Sequence, residues 1–216
     1  MSLALSGRKY AGESLENRQL RRRQQFMQAG LHLFGTQGYR KTTVRMLCAE
    51  AGLTDRYFYE SFESTEDLLV AVYEAQIEQV QHAVVQAVAN EQFAQTPMLA
   101  IKTALHAVFS LTAQPGWGRV FWMEVLGVSP RVDAVYVRTF NLFTDLVLML
   151  TRHFYPNLTI SGDEERVVGM ALIGAVGQSA TYWMLGGYQQ PLDTLVSGNA
   201  RIFEGLVKTL VPDAGV

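Results

Sequence analysis

A single cysteine, Cys48, stands in 216 residues, so the chain has no internal disulfide and no multi-thiolate zinc site of its own. A reducing compartment is expected. The four histidines, His32, His82, His106 and His153, are scattered without metal-ligand spacing, so neither a metal nor another cofactor is expected. Enzyme signatures are missing as well: there is no GxSxG, HExxH, P-loop or GxGxxG. Gly127-Val128-Ser129-Pro130-Arg131 lacks the closing glycine of a nucleophile elbow. Strand-like alternation is scarce and no internal repeat is evident. The opening stretch MSLALSGRKYAGESLENRQLRRR has too short an apolar run for a secretory leader, and its arginines follow that run, so cytoplasm is the expected location. Val167 to Tyr188 carries no charge and could imitate a membrane span. Gln178, Ser179 and Thr181 near its middle, with the flank Asp163, Glu164, Glu165, predict a buried helix instead.

What is present is the composition of an ordered globular protein: 49% hydrophobic, 18% charged and a mean hydropathy of +0.07. At this length about 70% of the unfolded surface can be buried, enough for one or two self-supporting domains. The net charge of −2 hides a division. Residues 1–62 hold ten Lys/Arg against five Asp/Glu, a balance of +5, so the remainder carries −7. A basic block of domain size beside an acidic one points to a polyanion partner for the first part and a different task for the second.

Three- and four-residue spacing of Ala, Leu, Gln, Glu and Met predicts a nearly all-helical chain of about nine helices. The first runs from about Leu15 to Thr36 and stops at Gly38. Thr43 offers an N-cap for Val44 to Ala51, closed by Gly52, and Thr54 offers one for Asp55 to Ser61. A long helix opens at Ser64/Thr65 and reaches about Asn90. Further helices are predicted over 97–112, 116–127, 130–154, 162–186 and 191–210, each bounded by Pro or Gly.

Residues 43–62, two short helices joined by a glycine-containing turn, have the helix-turn-helix layout, and the basic block surrounds them. The stretch AGLHLFGTQGYRKTTVRMLCAEAGLTDRYFYESFESTEDLL resembles the N-terminal domain of TetR-type transcriptional regulators over about Gln24 to Leu69. The resemblance rests on Phe34, Gly38 and Tyr39, on Thr42-Thr43-Val44, on Ala51-Gly52-Leu53-Thr54, and on Tyr59 and Phe62 before an acidic helix start. It implies a DNA-binding domain over 15–63 and a helical effector-binding and dimerisation domain over 64–216.

The resemblance also assigns roles. Arg45, Thr54, Arg56 and Tyr57 sit where such proteins touch base edges and nearby phosphates, with Thr43 in the same group, and Tyr59 matches a backbone-binding tyrosine. Physically, Arg56 could place a fork of N–H donors on guanine O6/N7. Lys41, Thr42 and the Arg21–Arg23 cluster would neutralise phosphates. The alternative for Tyr59 is stacking on the small core. Two departures stand out: Arg56 replaces a common glycine, and Thr65 replaces a lysine that touches phosphate. Cys48 reads as a small buried residue, with a redox-sensing thiol as the alternative.

For the acidic part, the resemblance implies a homodimer through a four-helix bundle of the last two helices, about 162–186 and 191–210, reading a palindromic operator in double-stranded DNA. Gly169, Gly174, Gly177 and Ala180 would let backbones approach closely there. The alternative is that both helices bury within one chain. Aromatic residues crowd the region from Ala100 to Tyr155, as a core or as the walls of a pocket for a small apolar or aromatic effector. The candidate lining is Phe109, Trp117, Phe121, Trp122, Phe140, Phe143 and Trp183, with Glu124 as the polar group. His106, Arg138 and Asp145 are interspersed. Glu124 could instead face water or pair with Arg119 or Arg138. The expected function is therefore a ligand-responsive DNA-binding regulator, a repressor released from its operator, and not an enzyme. The alternatives are a helix-turn-helix dimer without an effector or, from a different class, a small helical enzyme.

Overall fold

The computed structural model describes residues 15–89, 96–160 and 162–210. The expected end of the fourth helix at Asn90, the residues after 210 and the charges Arg8, Lys9 and Glu13 lie outside them. Among the described residues the secondary structure is all-α: α1 Leu15–Thr36, α2 Val44–Ala51, α3 Asp55–Ser61, α4 Thr65–Val88, α5 Pro97–Thr112, α6 Trp117–Met123, α7 Pro130–Phe154, α8 Gly162–Leu185 and α9 Leu192–Leu210.

The first three helices form because each has an apolar stripe and a stop. α1 buries Phe26, Gly30, Leu33 and Phe34 at three- and four-residue intervals. The Thr43 side chain accepts from Met46 N–H at the start of α2, and Gly52, in the left-handed region at φ 65°, ends it. α3 turns Phe58 inward, edge-on to Phe26 at 5.3 Å between centroids. Ser64 caps α4 by accepting from Asp67 N–H while its hydroxyl donates to the Asp67 carboxylate. α4 buries Leu68 and Leu69 against α1, then Val72, Tyr73, Gln76 and Val80 further along.

Four details depart from the sequence reading. A 3₁₀ turn, Tyr39–Lys41, lies between α1 and α2. Thr54 has the extended backbone of an N-cap but makes no side-chain cap bond. α6 ends at Met123, four residues early, because Glu124 turns toward the N-terminal helices and Gly127 takes a positive φ of 83°. The small residues of α8 do not form an outer face. A methyl group on Gly169 would meet Leu148 at 3.0 Å, one on Gly177 would meet Trp122 at 3.1 Å, and Ala180 is fully buried, so these positions face inward.

Both α7 and α8 are long and apolar enough, by length and composition, to cross a membrane. Leu172, Val176, Ala180 and Trp183 of α8 nevertheless lie in the hydrophobic core.

Candidate nucleic-acid interface and effector cavity

α3 presents Asp55, Arg56, Tyr59 and Glu60 outward while Phe58 anchors it. Arg56 has 82% of its side chain exposed. Its Nε donates to Glu60 at 3.0 Å. Glu60 also accepts from Arg22 of α1 at 3.3 Å, and the Arg22 guanidinium lies 3.8 Å above the Tyr57 ring. Arg23 donates to the Ser61 carbonyl at 2.8 Å and stacks over Phe62. The end of α3 is thus tied to α1 by two arginines, Arg22 and Arg23, whose side chains point at α3 and not only at phosphates. Lys41, Thr43, Arg45 and Thr54 are exposed beside it. Residues 15–62 hold eight Lys/Arg against four Asp/Glu, so this region keeps a positive balance.

Two predicted contacts are placed differently. Thr42 is buried and its hydroxyl donates to the Gly38 carbonyl at 3.0 Å, which closes the 3₁₀ turn and removes it from any phosphate. Tyr57 is half-buried beneath Arg22, so only part of its edge faces outward. Tyr59 is 61% exposed, although its ring also meets Phe58 edge-on at 5.4 Å. Thr65 is half-buried in the first turn of α4. Cys48 is buried, and desolvation, helped by the nearby Asp55 carboxylate, pushes its thiol pKa up, which disfavours the reactive thiolate.

The C-terminal helices enclose an apolar cavity of about 380 Å³. It takes Val80, Val84 and Val88 from α4, Ile101 and Leu105 from α5, and Phe121 and Trp122 from α6. α7 lines it from Tyr136 to Phe154, about 27 Å at 1.5 Å per residue, so the cavity is elongated along that helix. α8 and α9 close it with Leu172, Gly174, Phe203 and Leu206, and at Gly174 nothing lies within 4 Å of where a methyl group would stand. Among the described residues no charged side chain lines it; Thr139, Thr151, Gln178 and Thr181 are among its polar groups. Tyr73 also faces it beside Thr139, and burial pushes its phenol pKa up from the ordinary value.

Of the predicted lining, Phe121, Trp122, Phe140 and Phe143 face this cavity. Phe109, Trp117 and Trp183 do not: all three are core residues, Trp117 stacked on Phe121 at 4.8 Å and Trp183 edge-on to Phe109 at 6.2 Å. His106, Arg138 and Asp145 are also elsewhere, paired with Ser110, Glu74 and Arg166. Helical spacing marked which faces were apolar; it could not tell a filled interior from a hollow one.

Glu124 is the largest correction. It lies outside the cavity lining and faces the N-terminal helices, accepting from Tyr39 N–H at 2.7 Å and from Arg119 Nε at 2.7 Å. Arg119 continues to the Thr36 carbonyl at 3.0 Å, and Arg40 reaches back to the Gly127 carbonyl at 2.9 Å. Beside this cluster Gly35 and Gly116 meet backbone to backbone, so close that a methyl group on Gly35 would stand 2.4 Å from the Gly116 Cα. α6 therefore has two faces, Phe121 and Trp122 toward the cavity and Arg119 with Glu124 toward the turn after α1. Trp117 also ties it to α4, taking a bond from Gln76 at 2.9 Å and giving one to Gln79 at 2.7 Å.

Residues 26–72 match the family model of the bacterial regulatory proteins, tetR family. No curated protein matches the chain in sequence. Among solved structures, the fatty acid degradation regulator FadR from Bacillus halodurans is similar at a TM-score of 0.69 and 18% identity, over 84% of this chain and 93% of that one. FadR from Bacillus subtilis in complex with stearoyl-CoA is similar at 0.69 and 16%, over 83% and 96%. A TetR-like regulator from Rhodococcus sp. RHA1 is similar at 0.68 and 16%, over 86% and 96%. At these identities the likeness establishes a shared fold.

Proposed function

We propose that this chain, whose residues 26–72 match the family model of the bacterial regulatory proteins, tetR family, is a cytoplasmic, dimeric, DNA-binding repressor and not an enzyme, released from its operator by an elongated apolar effector. Residues 15–63 form the DNA-binding unit and 64–216 the effector and dimerisation unit. The observation that carries the DNA reading is the braced, outward-facing α3 with Arg56 and Tyr59 exposed and Lys41, Thr43, Arg45 and Thr54 around it. Selecting bound fragments from a pool of random duplexes tests it: a palindromic consensus is expected, and no enrichment at low salt would refute it.

A dimer is needed because two recognition helices must reach successive major-groove faces. α8 and α9 supply a surface for it. Val167, Met170, Tyr182 and Leu185 of α8 and Ile202 of α9 are exposed apolar side chains, and a shallow groove runs between the two helices past Leu195 and Gly198.

The effector class follows from a cavity that is long, apolar and, among the described residues, without charge. An alkyl or acyl chain satisfies all three, with a polar head left outside, because an ion inside would find no counter-charge. The stearoyl-CoA held by the Bacillus subtilis neighbour is a molecule of that kind. Chain entry would press on Phe121 and Trp122, and α6 would carry the displacement through Glu124 and Arg119 to Tyr39 and Thr36. Trp117 would carry it to α4. The ligand can shift the equilibrium by no more than its differential affinity for the two arrangements. Titrating the protein with saturated acyl-CoA esters of increasing chain length is expected to change Trp122 emission and lower operator affinity together. Binding with unchanged operator affinity would reject the switch.

A further inference from the structure

An exposed carboxylate on a recognition helix is out of place at first sight, because it faces the phosphates of any bound duplex. Glu60 is such a group, yet both of its oxygens are committed: one accepts from Arg56 Nε at 3.0 Å, the other from Arg22 Nη1 at 3.3 Å. An isolated pair four residues apart on a helix surface is weak and would leave the long Arg56 side chain sweeping through many rotamers. Here the carboxylate is held from behind. Arg22 is only 19% exposed and its guanidinium sits 3.8 Å over the Tyr57 ring, so Glu60 has a fixed partner on α1 as well as a mobile one on α3.

We propose that Glu60 is a specificity-determining positioning residue, which clamps the Arg56 guanidinium by its Nε edge and leaves its two-Nη end turned outward for a guanine. The inference rests on the DNA-binding reading above. With Nε occupied, the end-on fork alone remains to meet O6 and N7, and the torsions that would otherwise be ordered on binding are ordered beforehand. The same carboxylate weakens attraction to phosphates of any sequence. Both effects widen the gap between the correct site and random DNA.

The test uses the full-length protein, the duplex that the wild type enriches from a random pool, and a scrambled duplex of equal length. Affinity is measured for wild type, Glu60→Ala, Glu60→Gln, Arg56→Ala and the Arg56→Ala/Glu60→Ala double variant, with thermal unfolding as a check on folding. Glu60→Ala is expected to lower the ratio of selected to scrambled affinity by about tenfold while scrambled binding holds or rises. Glu60→Gln, whose amide oxygen can still accept from Nε, recovers part of the ratio. In the Arg56→Ala background, removing Glu60 leaves the ratio unchanged. An unaltered ratio in Glu60→Ala, or an equal loss with and without Arg56, overturns the proposal while leaving DNA binding intact. A wild type that enriches no duplex removes the DNA reading and this inference together.

Discussion

Single side chains divide the surface of the N-terminal domain into groups that read sequence and groups that hold charge. Arg56→Ala is expected to weaken the selected operator by about 1–3 kcal/mol with a smaller loss on random duplex, whereas Lys41→Ala weakens both alike and lowers the salt slope by about one counterion. Equal losses for the two variants in a salt-titrated binding assay would contradict the division. Thr42 belongs to neither group: Thr42→Val should leave DNA binding at matched stability unchanged and lower stability by about 1 kcal/mol through the lost bond to Gly38. Glu124 was legible as an unusual carboxylate in an apolar helix, and its pairing with Arg119 was among the readings the sequence left open. Its contact with Tyr39 was not legible, because no local pattern records a bond that spans 85 residues. Glu124→Ala strands Tyr39 N–H and the Arg119 Nε–H, so a stability loss of about 1–3 kcal/mol and a smaller effector-induced change in operator affinity are expected. Full effector response in that variant would remove α6 from the route.

Whole elements were the most readable level, since caps, glycines and apolar stripes act within a few residues. The boundaries of α1, α2 and α3 follow from such signals, and the notable failure, α6, came from a tertiary contact overriding the local one. The junction between α4 and α7 depends on charge. Asp67 lies in the first turn of α4 and meets Arg131 of α7 at 2.6 Å. The Ser64 hydroxyl and then the Arg131 guanidinium hold the Asp67 carboxyl below its ordinary 3.8. A carboxyl lowered in the folded state stabilises above its unfolded value, and that contribution fades as pH falls through the folded value. Wild type should therefore melt above Asp67→Asn at pH 7, with the gap shrinking as pH falls below 3.8 and through the lowered folded value. A gap of the same size at pH 7 and pH 2.5 would show that the ionised pair is not its cause.

The packing of α8 is the feature that the sequence described least well. The glycines of α8 suggested a close-packed outer face, yet Gly169 and Gly177 meet Leu148 and Trp122 inside the subunit, and bulky Val167, Tyr182 and Leu185 stand outside. A helix with apolar residues on most of its circumference gives no periodicity from which to choose the outer side. Ile202→Asp, which places a charge on the α8–α9 surface, is expected to yield monomers at micromolar concentration by sedimentation and to lose operator affinity without any change in α3. A dimer that persists would locate the interface elsewhere. The account as a whole depends on two copies of α3 reading one duplex. Hydroxyl-radical footprinting of the selected duplex tests this most directly. Two protected patches, related by two-fold symmetry and about 34 Å or a multiple of it apart, are the predicted result. A single unsymmetrical patch, or none at low salt, would contradict it.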